Sequence, residues 1–121
     1  MSPEEFDELV AEAVESLPEQ FLSRLDNVDV VVAEEPSAGQ LAENGLGPDE
    51  TLFGLYEGVS LLDRAGYGEV LPDKITIFQR PLEESYADRG ELIDQIRITV
   101  AHEIAHHFGI SDEELDEWGL G

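Results

Sequence analysis

Two histidines four residues apart, with a glutamate directly after the first, stand in the run His102-Glu103-Ile104-Ala105-His106. On a helix, residues four apart lie one above the other, which puts the two imidazoles on one side, about 6 Å apart at their β-carbons. Two nitrogen donors so placed suit a single tetrahedral zinc ion, with Zn–N bonds of about 2.0–2.1 Å. Glu103 projects about 100° away from His102 around the helix axis. From there it can act on a water at an open coordination position without binding the metal itself. The chemistry this allows is hydrolysis with a carboxylate general base. Short motifs also arise by chance. Here, however, two of the chain's three histidines fall in the motif, and histidines in an apolar helix would each need a buried partner.

The run continues through Phe108-Gly109-Ile110-Ser111-Asp112, which extends the pattern to H-E-x-x-H-x-x-G-x-x-D. Gly109 can take positive φ and let the chain fold back from the helix axis. Asp112 is then the preferred third protein ligand, with water in the fourth position. Its alternative is the first turn of a last helix, where the macrodipole favours a carboxylate. His107 is the rival third ligand, but adjacent helix positions diverge.

These residues need elements to carry them. From Gly90 onward, Leu92, Ile93, Ile96, Ile98, Val100, Ala101, Ile104, Ala105 and Phe108 recur at helical spacing over much of the circumference, as in a buried central helix. Gly109 ends it and Ser111 can cap a short helix over Asp112 to Trp118. At the other end, Ser2-Pro3-Glu4-Glu5 is a helix start with a capping box. Phe6, Leu9, Val10, Ala13, Val14 and Leu17 form one apolar stripe behind it, which Pro18 ends. Val28 to Glu34, Leu52 to Glu57 and Lys74 to Gln79 read as short strands. Glu35 to Glu50, with its prolines and glycines, reads as a long loop, and Asp63 to Asp73 as turn-rich.

At 121 residues the chain suits one domain, 1–121, around one core. It has no cysteine, so disulfides and thiolate ligands are excluded and any metal must be held by His, Asp or Glu. A formal net charge of -23 with six Lys+Arg argues against nucleic-acid binding. Such a surface confers solubility, and it attracts cations or basic partners. Met1 to Val10 lacks the basic start and apolar stretch of a secretory leader, and Val30 to Ala33, the longest uncharged apolar run, is far short of a membrane span. A soluble cytoplasmic protein without membrane association is expected; oligomeric state is left open.

The extended motif resembles that of the zincin metallopeptidases, in which two histidines and a third downstream residue bind zinc. More closely, LFGLYEGVSL, LPDKITIFQRPLEE and ITVAHEIAHHFGISDEEL together resemble a small bacterial family of minimal zincins, over roughly Leu52 to Trp118. The resemblance implies one zinc ion held by His102, His106 and Asp112, with Glu103 as general base and a peptide or protein as substrate. It also implies an antiparallel strand beside the cleft that aligns an extended substrate by backbone pairing. Lys74 to Gln79 is the candidate strand, an ordinary core strand the alternative.

The departures are equally specific. The only methionine is Met1, so there is no Met-containing turn beneath the metal, and the stretch beyond Asp112 is too short for a specificity subdomain. Tyr56, Tyr67, Tyr86 and His107 are candidates for an oxyanion-stabilising group. The expectation is therefore an α+β, zincin-like fold: a small antiparallel or mixed sheet packed on an N-terminal helix and a central zinc-binding helix. The function expected is a zinc-dependent hydrolase acting on peptide bonds. A catalytically weak or inactive zinc-stabilised protein-binding module is the alternative, and an acidic decoy for a basic surface is a third reading resting on charge alone.

Overall fold

The computed structural model describes residues 1–25, 28–58, 73–117 and 119–120. Helix α1, Pro3–Glu15, starts where its residues dictate. Ser2 Oγ accepts from the Glu5 amide at 3.1 Å, and Pro3 sits in the first turn, where an N–H has no partner within the helix. The Glu5 carboxylate takes the Ser2 hydroxyl at 3.2 Å. A short α2, Glu19–Leu22, and a 3-10 turn, Ser23–Leu25, precede β1, Val28–Ala33. After them come α3 (Ala38–Glu43), β2 (Gly54–Glu57), β3 (Asp73–Phe78), α4 (Gln79–Ser85), α5 (Arg89–Phe108) and α6 (Asp112–Glu117).

The three strands form a mixed sheet in the order β1-β3-β2. Strand β3 runs parallel to β1, with Val30 opposite Ile75, and antiparallel to β2, with Tyr56 opposite Ile75. Of the two roles weighed for Lys74 to Gln79, the ordinary core strand is the one observed. That run is the central strand, paired on both sides, with Gln79 already in α4; the antiparallel edge belongs to β2.

Ile75 and Ile77 of β3 are fully buried in one cluster with Phe6 and Leu9 of α1 and Ile96, Val100 and Ile104 of α5. Each such side chain contributes about 1.5–3 kcal/mol through burial. The sheet thus packs on the N-terminal helix and on the helix bearing the histidines, as expected of an α+β fold.

The expected loop Glu35 to Glu50 contains α3. Its start is a full capping box: the Gln40 amide donates to Ser37 Oγ at 3.0 Å, and the Ser37 amide to Gln40 Oε1 at 2.9 Å. Leu41 anchors this helix by burial. The turn-rich reading of Asp63 to Asp73 falls on residues outside those described, except for Asp73. No helix among the described residues is long and apolar enough to cross a membrane.

Candidate active site and metal centre

Helix α5 is built to hold its motif still. Asp88 caps its start by accepting from the Glu91 amide at 3.1 Å, and Gly109 ends it at φ 71°. There the Ile110 amide returns to the Ala105 carbonyl at 2.9 Å. Ala101, Ile104 and Ala105 face the core, so His102 and Glu103 emerge half-buried at its margin, while His106 is exposed.

The imidazoles of His102 and His106 stand with ring centroids 6.4 Å apart and planes at 82°. They line a cleft of ≈ 300 Å³ with Glu103, Ile98 and Thr99 on the helix side and Leu52, Phe53 and Gly54 on the β2 side. Strand and helix are in close contact: a β-carbon on Gly54 would lie 2.6 Å from Thr99 Cγ2. His102 Nε2 is also 3.2 Å from the carbonyl of Leu120. That carbonyl is presented by the turn after α6, where Gly119 has φ 74° and the Leu120 amide bonds Leu115 O at 2.8 Å. Leu115 and Leu120 are both buried, which anchors the turn.

Glu103 Oε1 accepts from the backbone amide of Tyr56 at 3.0 Å. Burial pushes its carboxyl above the ordinary value, opposed by that hydrogen bond and by the nearby His106 and His102. A carboxyl kept basic beside a cleft is what a general base requires.

Asp112 lies exposed in the first turn of α6, behind Ser111, whose Oγ accepts from the Glu114 amide at 3.2 Å. Among the described residues no three His, Cys, Asp or Glu side chains converge as a metal-holding group. Two nitrogen donors are therefore brought together, and Asp112 is not gathered with them. His107 is turned to β2: its ring stacks on Tyr56 at 4.1 Å, with Nε2 4.0 Å from Asp73 Oδ2. The Tyr56 hydroxyl donates to Asp73 Oδ2 at 2.7 Å, and the Tyr86 ring packs edge-on against Phe53. Tyr67 lies outside the described residues.

The donors present suit zinc. Imidazole nitrogen is among its preferred ligands, and the two rings face one cleft with centres 6.4 Å apart, so a small side-chain rotation would bring both onto one ion. Three participants escaped sequence reasoning: the Tyr56 amide, Gly54 and the Leu120 carbonyl. Two act through backbone, which leaves no trace in residue type. The third signal, a glycine opening a strand, was legible as a close approach.

A helix bearing paired histidines and a carboxylate thus stands beside the antiparallel strand β2. A family model described as zincin-like metallopeptidase matches residues 25–120. The chain belongs to that family. The match begins well before Leu52 and takes in β1 and α3 as well as the motif. A search of curated proteins found no match.

Proposed function

We propose that this protein is a zinc-dependent peptidase acting on an accessible, extended peptide segment. One observation supports this most directly: His102, Glu103 and His106 line a single cleft whose opposite wall is Leu52, Phe53 and Gly54, where β2 begins. His102 and His106 would hold the ion through imidazole nitrogens, and Asp112 is the proposed third ligand. To serve, Asp112 must approach the two histidines, with which it is not grouped among the described residues. When bound, zinc supplies Lewis acidity that polarises the scissile carbonyl and acidifies a water. Glu103 takes the proton of the attacking water and passes it to the leaving amine. Strand β2 aligns the substrate backbone by strand addition. The acidic surface favours segments without negative charge.

Zinc-loaded wild type is expected to cleave members of an unbiased peptide library, and Glu103→Gln to lose that activity by at least about 100-fold. Equal inactivity of the two with zinc fully bound would sink this reading.

A second reading, a zinc-stabilised protein-binding module, is favoured by one specific observation. The Tyr56 hydroxyl is engaged with Asp73 and the His107 ring with Tyr56, so two oxyanion-donor candidates already have partners. This reading predicts partner binding that survives Glu103→Gln and a melting temperature that falls on chelation.

A further inference from the structure

A backbone carbonyl accepts hydrogen bonds and has no hydrogen to donate. The 3.2 Å contact between His102 Nε2 and Leu120 O therefore puts the ring proton on Nε2. In a neutral imidazole, the form that binds metal, the lone pair is then on Nδ1. His102 lines the cleft, and Leu120 is not among the described residues that do. One nitrogen is thus spent on the turn after α6, and the other is the donor left for a metal.

That turn holds its carbonyl in a fixed place. Leu115 and Leu120 are buried in the same cluster as Ile104 and Ala105 of the motif helix. The Gly119 amide bonds Asp116 O at 3.0 Å, and the Leu120 amide bonds Leu115 O at 2.8 Å. Gly119 itself takes φ 74°, a conformation that suits glycine, that asparagine tolerates and that β-branched residues resist. His106, by contrast, is exposed, so the adjustment that brings both rings onto one ion falls to it.

We propose that the Leu120 carbonyl is a positioning group for the metal centre. It fixes the tautomer and orientation of His102, so that this histidine binds zinc through Nδ1 while His106 turns to meet the same ion. This rests on the zinc reading above and adds to it the choice of nitrogen and the turn that enforces that choice. Losing a partner that orients a metal-binding histidine typically costs about 10–100-fold in affinity. By linkage the effect is reciprocal: bound zinc steadies the turn by the same factor.

Two substitutions at one position separate the placement of the carbonyl from the mere loss of glycine. A β-carbon on Gly119 meets no described atom within 4 Å, so strain in the backbone is the change introduced. Zinc titrated into the full metal-free chain is expected to bind Gly119→Val about tenfold more weakly than wild type. Gly119→Asn, which keeps the left-handed turn, is expected to bind it nearly as tightly as wild type. General loosening does not select a nitrogen, so ring spectra supply the second readout. Long-range proton–nitrogen correlation spectra of the chain with nitrogen-labelled histidine are expected to show His102 protonated on Nε2, with zinc on Nδ1 once it is added. Exchange of the Leu120 amide hydrogen should slow by about tenfold on adding zinc.

Zinc on Nε2 of His102 overturns the proposal and leaves the zinc reading intact. Equal zinc affinity of Gly119→Val and wild type does the same. Tighter binding by Gly119→Val also overturns it, since the carbonyl is then a competitor of the metal. If wild type binds no zinc, both readings fall together. Should Gly119→Val not fold, the ring spectra of wild type decide alone.

Discussion

Gly54 and Thr99 mark the point where the edge strand and the motif helix touch with nothing between them. A β-carbon on Gly54 would sit 2.6 Å from Thr99 Cγ2 and 3.3 Å from the Thr76 carbonyl. Thr99 is held in place because its hydroxyl donates to Gln95 O at 2.7 Å. Gly54→Ala is expected to lower stability by about 1–3 kcal/mol through overpacking. Thr99→Ser keeps the hydroxyl and deletes the offending methyl, so the double variant should recover part of the loss. Urea midpoints of the three variants test this, and strictly additive losses would contradict it.

Glu103 yields a pH prediction for the metal-free chain. Its folded-state carboxyl titrates above 4.5, chiefly through burial. Between the unfolded and folded values the native state therefore binds more protons, and stability falls as pH rises. Glu103→Gln keeps an acceptor for the Tyr56 amide and removes the buried charge. It should be more stable than wild type at neutral pH, with the gap closing as pH drops toward 4.5. Thermal melts across that range decide the point. A gap that widens in acid would contradict the sign.

Metal analysis tests the paired histidines. Protein purified without added zinc is expected to carry about one ion per chain, lost in His102→Ala plus His106→Ala. Chelation should lower the melting temperature of wild type alone. Zinc at a thousand times its dissociation constant is linked to about 4.1 kcal/mol of stability. Zinc should also be released in acid, because both imidazoles must be neutral to bind.

Asp112→Asn separates ligation from helix capping. If Asp112 completes the site, zinc affinity is expected to fall at least about tenfold. The metal-free chain should lose no more than the macrodipole contribution, about 0.3–1 kcal/mol. Isothermal titration with zinc and a melt without it give the two numbers. An unchanged zinc affinity would assign the third position elsewhere.

The net charge of -23 bears on substrate choice. Peptides flanked by lysine should show higher kcat/KM than glutamate-flanked ones, and the ratio should shrink as salt is raised. A ratio indifferent to ionic strength would locate any preference in short-range contacts instead.

Much of this site was written in residue types. The structure puts the His102 and His106 rings in one cleft, ends the helix at Gly109 and starts the first helix behind Ser2 with Pro3 in its first turn, each as the local residues read. Helix α3 was hidden because Gly39, Asn44 and Gly45 punctuate the segment, although Ser37 and Gln40 form a capping box by type and spacing. Which strand takes the edge could not be read at all. Lys74–Gln79 and Leu52–Glu57 are both short and apolar, and only pairing with β1 puts β3 in the middle. The seat of Glu103 was equally invisible, since its partner is an amide that any residue but proline possesses.

The distances along the chain between these partners have a kinetic meaning. Helix α5 brings His102 and His106 together through contacts between neighbours in sequence, which form early and fast. Parallel pairing of β1 with β3 must close the long interval between Val28 and Asp73, and the amide of Tyr56 reaches Glu103 across 47 positions. Contacts of such separation form late, after the loop-closure entropy has been met. A chain still emerging or refolding can thus assemble its pair of imidazoles well before the edge strand arrives. On the function proposed above, the paired donors would be in place before the strand that would align a peptide.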